Sequence, residues 1–305
     1  MNHDLPFFSV IVPTYERPEQ LRACLHALAR LDYPAQCFEV IVVDDGSKVA
    51  PAAIVMAVSG SIDARLIVQP NAGPAAARNM GAAEARGEFL AFTDDDCLVG
   101  ANWLRAFGAQ FKQTPHRLLG GQTLNALDAN RCAATSQMIM EVVYAHYNAN
   151  PNDARFFASN NFAMAADQFR AVGGFDEDFR TAEDREFCDR WLARGFRIGD
   201  APGALVNHAH LLTLRSLWKQ HFGYGRGAWR FHQTRASRGA EPFRPDMSFY
   251  LKLLSASCSR VRRSPASLMP VWLLWSQMAN TAGFFYGRIT RDVGSQKRSN
   301  TGGWK

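Results

Sequence analysis

Residues 89–97 read FLAFTDDDC, an apolar run that stops on three aspartates and a cysteine. Adjacent carboxylates repel one another and resist ionisation unless positive charge lies close by. A turn of solvated aspartates is one reading of the triplet. A bound divalent cation that compensates the charge is the other. The segment EFLAFTD (88–94) itself reads as a buried strand, so the choice rests on what surrounds it.

Upstream, FFSVIVP (7–13), FEVIVVDD (38–45) and ARLIVQ (64–69) read as three more buried strands. Between them, PEQLRACLHALARL (18–31) is an amphipathic helix opened by a proline, and GPAAARNMGAAEARG (73–87) an alanine-rich helix closed by a glycine. Continuous apolar strands separated by helices predict a parallel sheet covered on both faces. Ligands of such sheets lie beyond the carboxyl ends of the strands. VPTYE, VVDDGS and FTDDDC all fall at strand ends, which predicts three polar clusters on one rim.

Downstream, helices are predicted at 102–111 and 134–147, and a short strand at 157–165 around the pair Asn160 and Asn161. GGFDEDF (173–179) is a loop. In EDREFCDRWLARG (183–195), Phe187, Cys188, Trp191 and Leu192 form one helical stripe. The pairs Arg185–Asp189 and Glu186–Arg190 fall on the other side, and Gly195 stops the helix.

The 305 residues, 47% apolar and 20% charged, suit a folded protein with a large domain and an appendage, or two domains. Cys24, Cys37, Cys97, Cys132, Cys188 and Cys258 show no metal-ligand spacing, which favours free thiols in a reducing compartment. MNHDLPFFSVIVP carries no secretory signal pattern, so the expected location is the cytoplasm, at the inner face of the cell membrane if the tail binds lipid. Residues 211–305 hold 16 Lys and Arg against 3 Asp and Glu, a net of +13. Residues 1–210 hold 18 against 25, a net of −7. Opposite charge suggests separate jobs: a domain at 1–210, with halves at about 1–100 and 101–210, and a basic, aromatic tail at 211–305. Within the tail, 267–287 is an apolar-rich stretch containing Pro270, Gln277 and Asn280. Arg260, Arg262 and Arg263 precede it, and Arg288 and Arg291 follow. It is borderline for the roughly 20 apolar residues of a spanning helix. A helix lying in the membrane interface is the first expectation, ahead of ordinary packing and of a span. Anionic lipid fits the tail better than nucleic acid, which is not an expected partner.

Taken together, SVIVPTYERPEQL, VIVVDDGS, NAGPAAARNMGAAEARGEFLAFTDDDC, GGFDE and AEDREFCDRW resemble family 2 glycosyltransferases of the GT-A fold, in order over residues 7–210. The resemblance implies an α/β, Rossmann-like, mainly parallel sheet with helices on both faces, here with a helical C-terminal extension. It implies nucleotide-sugar binding by Pro13, Thr14, Tyr15, Glu16, Asp44, Asp45, Asp94 and Asp95, with Arg78 on the helix beside the donor pocket. Tyr15 offers a face for a base, and Asp45 an acceptor for a base N–H or a ribose hydroxyl. The triplet matches the D-x-D motif: Asp96 as direct ligand of Mn²⁺ or Mg²⁺, Asp94 near ribose or metal, Asp95 undecided. His208 resembles a histidine placed near metal or diphosphate, and His210 competes with it.

Asp184 matches the family's catalytic base, although Thr181 and Asp184 also have the spacing of a capping box. Glu183, Asn160 and Asn161 are candidate acceptor contacts. The implied reaction is inverting, metal-dependent transfer from a nucleoside-diphosphate sugar, most simply a uridine one, to a hydroxyl of a glycan, a glycolipid or a polysaccharide precursor. Gln220 is followed by HFGYG rather than the Q-x-x-R-W of processive members, so one sugar or a few are added. A sugar nucleotidyltransferase would carry a glycine-rich basic loop where PTYERPEQ stands. A silent sugar-nucleotide-binding scaffold would not need Asp94, Asp96 and Asp184 together.

Overall fold

The computed structural model describes residues 5–127, 129–150, 153–241, 243–263 and 268–299. The chain falls into two compact units. The first takes residues up to 128 with 143–178 and 183–210, and the second takes 129–142, 179–182 and the chain from 211. A single boundary near 210 does not anticipate that two inner segments belong with the tail.

In chain order the elements are β1 (Phe8–Thr14), α1 (Pro18–Leu28), β2 (Phe38–Asp44), α2 (Ala52–Met56), β3 (Asp63–Val68), α3 (Pro74–Ala83), β4 (Phe89–Thr93) and β5 (Cys97–Val99). There follow α4 (Trp103–Phe111), β6 (Arg117–Asn125), α5 (Arg131–Tyr147), β7 (Asn161–Ala165), α6 (Ala166–Val172), α7 (Glu183–Ala193) and β8 (Arg197–His208). The sheet order is β3-β2-β1-β4-β7-β6-β8-β5. β1–β2, β1–β4, β2–β3 and β6–β8 pair in parallel, whereas β4–β7, β6–β7 and β5–β8 are antiparallel.

Strand side chains alternate between the two faces, and each face has its own core. Val10, Val12, Val40 and Val42 meet Leu21 and Leu25 of α1 and Trp103 and Phe107 of α4. On the opposite face, Ile11, Leu90 and Phe92 meet Ala75 and Ala82 of α3, Phe169 of α6, and Phe187 and Trp191 of α7. The mainly parallel sheet covered on both faces is therefore observed.

The strand order reverses at β1, between β2 and β4, which is the switch point where α/β sheets bind ligands. β1 pairs with β2 from Phe8↔Phe38 to Thr14↔Asp44, but with β4 only from Phe8↔Phe89 to Ile11↔Phe92. Pro13, which has no N–H to donate, falls just past the end of the β4 ladder. The last residues of β1 thus part from β4 at a notch in the strand ladder, across which the Thr14 hydroxyl reaches the aspartate turn.

Some local expectations change. The alanine-rich helix stops at Ala83 rather than Gly87, and β7 starts only at Asn161 because Ala158–Asn161 form a turn. β5, three residues long, carries no sequence signal. Glu186 is not on an outer face: it is fully buried, and Arg190 grips it at 2.7 Å while donating to the Val172 and Gly174 carbonyls. Those carbonyls fix the loop after α6, so the pair serves packing and not solvation.

The second unit carries α8 (Leu214–Ser237), α9 (Met247–Arg263) and α10 (Met269–Ser299). Among the described residues no helix is long and apolar enough to cross a membrane, so the spanning reading of 267–287 falls. Ser267, the side chains of Arg262, Arg263 and Arg291, and residues 1–4 of the N-terminal reading lie outside the described residues.

Glu39, fully buried in β2, accepts from Ser9 Oγ at 2.6 Å and from the Arg86 backbone N–H at 2.8 Å. Glu39→Ala leaves both donors without that acceptor, and a buried group so stranded costs about 1–3 kcal/mol. Urea unfolding should report a loss of that size.

Candidate active site

The three aspartates of the notch are met by Arg78, Arg17 and His208, with Arg17 shared between two of them. Asp94 Oδ1 accepts from Arg78 at 2.6 Å. Asp95 accepts from Thr14 Oγ1 at 2.8 Å and from Arg17 at 3.2 Å. Asp96 accepts from Arg17 at 2.9 Å through one oxygen and lies 3.1 Å from His208 Nε2 through the other. Asp95 and Asp96 are buried, whereas Asp94 is partly open. Burial pushes the Asp95 carboxyl up to about 6 against the pull of Arg17. Burial acts the same way on Asp96, but the hydrogen bond and charge of His208, with Arg17, hold its carboxyl well below the usual range. Arg17 was not among the predicted site residues. No local signal marks it, because its partners are 78 and 79 residues away.

The histidines arrive through the sheet. β5 and β8 pair with Cys97 opposite His208, and Ala209 N–H donates to the Asp96 carbonyl at 2.9 Å. This anchors the end of β8 on the aspartate turn. The His208 and His210 rings lie 5.2 Å apart. Burial works to lower His208, but Asp96 more than offsets it and the net shift is upward. Burial and the neighbouring His208 push His210 down.

Among the described residues, Asp96, His208 and His210 each offer a ligand atom, all within 4.8 Å of one another. One hard carboxylate oxygen with two imidazole nitrogens fits Mn²⁺ better than Mg²⁺, which keeps to oxygen. The residues present therefore fit a divalent cation. Two expectations change here. Asp94 is held by Arg78 and lies outside this group, and His210 joins His208 rather than replacing it.

The loops above the rim interlock. Tyr15 is half exposed, with its ring accessible, and Pro13 and Thr14 are buried beneath it. Glu16 adopts a left-handed φ of 55°, receives the Lys48 N–H at 3.0 Å and donates its own N–H to Ser47 Oγ. Asp44 is fully buried and holds Ser47 through its N–H and hydroxyl.

Asp45 holds the loop ahead of α3 together. It accepts from Gln69 Nε2, Asn71 Nδ2, Ala72 N and Gly73 N, at 2.8–3.1 Å. A carboxylate has about four acceptor positions, and these donors take them. Asp45 thus fastens the loop that begins α3, where a negative charge suits the helix N-terminus.

Asn161 is likewise engaged within the protein. It is buried in the sheet, receives Trp103 Nε1 at 2.8 Å, and donates to the Gln122 and Ala204 carbonyls at 3.1 and 3.0 Å. Asn160 differs: its Oδ1 is buried and accepts no hydrogen bond.

Arg78, almost wholly buried in α3, reaches from Asp94 to Glu183 at 2.8 Å. A single guanidinium thus joins the notch to the first residue of α7. Asp184 follows, accepting from Arg185 N at 2.7 Å and from Ser159 N at 3.4 Å. Burial and the adjacent Glu183 charge push its carboxyl well above the usual range, despite Arg78. The capping box with Thr181 does not form, since α7 begins only at Glu183 and the Thr181 hydroxyl donates to the Gly223 carbonyl.

A family model described as glycosyl transferase family 2 matches residues 9–173. The pre-mycofactocin glycosyltransferase of Mycobacterium tuberculosis is 28% identical over 225 residues, covering 72% of this chain and 46% of that protein. Glycosyltransferase AglE of Haloferax volcanii is 37% identical over 123 residues, 40% of each chain. The chain thus spans less than half the length of these curated relatives. Among solved structures, the mannosyltransferase PcManGT from Pyrobaculum calidifontis, in complex with GDP-Man and Mn²⁺, superposes with a TM-score of 0.61 at 18% identity. That match covers 90% of this chain and 74% of the other. S. aureus TarS 1–349 gives 0.58 at 18% identity over 94% and 92% of the two chains. At this identity the likeness is one of fold, GT-A.

The folded Asp95 carboxyl, raised to about 6, keeps a proton that the unfolded chain gives up at about 4. Its contribution to stability is therefore present at the acid end of that window and declines as pH rises through it. With chelator present, thermal unfolding of Asp95→Asn should lack this part of the wild-type decline. Equal slopes for the two proteins would contradict the assignment.

Proposed function

Because the chain belongs to glycosyl transferase family 2, we propose that it moves a sugar from a nucleoside-diphosphate sugar to an acceptor hydroxyl with inversion at the anomeric carbon. The observation that carries this reading is the Arg78 bridge. It ties Asp94 of the aspartate notch to Glu183 at the start of α7, which supports a reading in which Asp96 and the carboxylate of Asp184 act on one pair of substrates.

The donor base lies against the ring of Tyr15, and its diphosphate reaches toward the notch. Asp96, His208 and His210 would hold a divalent cation, Mn²⁺ before Mg²⁺. When bound, that cation supplies a Lewis acid for the charge that develops on the departing diphosphate. Asp184 accepts the proton of the acceptor hydroxyl. The oxygen attacks the anomeric carbon from the face opposite the diphosphate, forming the glycosidic bond as the bond to the phosphate oxygen breaks. A base functions best when its pKa lies near the working pH, and the upward shift at Asp184 is in that direction. The adjacent Glu183 cannot take this role as placed, because Arg78 holds it as an ion pair. Asn160 Oδ1, buried and unpartnered, is the acceptor-side contact that fits a donor hydroxyl. Uridine diphosphate sugars are the first donors to try, with guanosine and thymidine next, and acceptors include a glycan, a glycolipid or a polysaccharide precursor.

General-base help is worth about 10²–10⁴-fold in rate. Asp184→Asn should lose activity on that scale while donor affinity, measured by calorimetry, stays the same. Retention of most transfer activity would defeat the assignment. The wild-type kcat/KM should rise with pH through a midpoint above the ordinary carboxylate range, since only the ionised carboxylate accepts the proton. Asp96→Ala should remove the Mn²⁺-dependent part of donor binding in the same titration.

A further inference from the structure

α10 packs on α8 through its smallest side chains. A Cβ added at Gly225 of α8 would meet the Asn280 carbonyl oxygen at 1.9 Å, and one at Gly283 of α10 would meet the Phe222 carbonyl oxygen at 2.0 Å. The seam also takes in buried Ser276 and Ala279. At these crossings the backbones leave no room for a side chain, Trp218–Trp275, Phe222–Tyr286 and Trp229–Phe284 pack to the side of them, and a further row of large apolar side chains faces outward. Val271, Leu274, Met278, Phe285 and Ile289 recur at helical spacing along the outer side of α10, 51–73% exposed. α9 repeats the pattern: Met247, Tyr250, Leu251 and Leu254 share one exposed face, while only Leu253 and Ser257 of its described side chains are buried.

Two helices of one unit thus turn their apolar stripes to water, which in a soluble protein marks a contact surface. Charge decides the occupant. The tail that carries both stripes has 16 basic residues against 3 acidic ones, a net of +13. A second copy would bring an equal positive field and be repelled. A surface that is apolar within and negative at its edge complements the tail on both counts. No described helix can cross a bilayer, so the helices would lie in its plane.

We propose that the α9 and α10 stripes insert into the interface of a membrane rich in anionic phospholipid, with the arginines of the tail at headgroup level. This surface belongs to the second unit alone and does not rest on the assignment of the catalytic residues.

Flotation of the full chain with vesicles tests it. The protein should rise with vesicles of phosphatidylglycerol in phosphatidylcholine, remain largely behind with phosphatidylcholine alone, and be released as salt increases. Leu274→Gln with Met278→Gln should weaken vesicle binding by about tenfold or more, and Leu251→Gln with Leu254→Gln should act similarly. All four positions are exposed, so circular dichroism and the thermal midpoint should be unchanged. Absence of wild-type flotation at low salt, or unchanged binding by both variants, would overturn the proposal. So would sedimentation showing a dimer that these substitutions dissociate, which would give the face to a second copy.

Discussion

Three neighbouring carboxylates, two of them buried, repel one another unless cations lie close, and much of the first unit is organised around supplying those cations. Arg78 comes from α3, Arg17 from the β1–α1 loop and His208 from the end of β8. Each element must be in place for the charge to balance. The aspartate turn is therefore a point where helix, loop and edge strand are fixed against one another. The same arrangement is suited to exchange. Arg17 is 44% exposed and can leave Asp96 when a better cation arrives, and His208 must give up its proton to bind a metal.

The sheet makes the exchange useful. Because β1 pairs with β2 further than with β4, the end of β1 is free of the β4 ladder beside the aspartate turn, which β8 anchors from its other side. The reversal of strand order puts the Tyr15 loop on one side of the notch. Arg78 then carries the register across to α7, so that the Glu183–Asp184 pair stands at a set place relative to the acids. Burial raises Asp184 toward the range where a base works, and the same guanidinium pairs with Glu183 beside it.

The strands were legible because each is an unbroken apolar run, and the rim because polar clusters sit at their ends. The helix at 183 was legible from its stripe. The role of a carboxylate was much less so. Nothing in VVDDGS tells that Gln69, Asn71 and two backbone amides converge on Asp45, or that Asp44 turns inward to Ser47. Asn160 and Asn161 are adjacent and chemically identical, yet one is locked into the sheet by Trp103 and the other has an unmatched oxygen. Arg17 gains its meaning only from partners far along the chain, and His210 from Asp96, which the β5–β8 pairing brings close. Long-range pairing is what the one-dimensional pattern lacks, and it is where the expectations changed. In the tail, the apolar stretch was visible but not its direction. Glycines at the α8–α10 seam set that direction, by admitting backbone where side chains would otherwise pack.

The account turns on a divalent cation replacing the contacts that Arg17 and His208 make with the two oxygens of Asp96. Crystals grown with Mn²⁺ and a nucleoside diphosphate, with anomalous data collected at the manganese edge, address this directly. The predicted result is a manganese peak in coordination range of Asp96 and at least one of His208 and His210, in contact with the diphosphate, with the Arg17 guanidinium withdrawn from Asp96. Manganese bound elsewhere, or nucleotide bound with Arg17 and His208 still seated on Asp96, would contradict it.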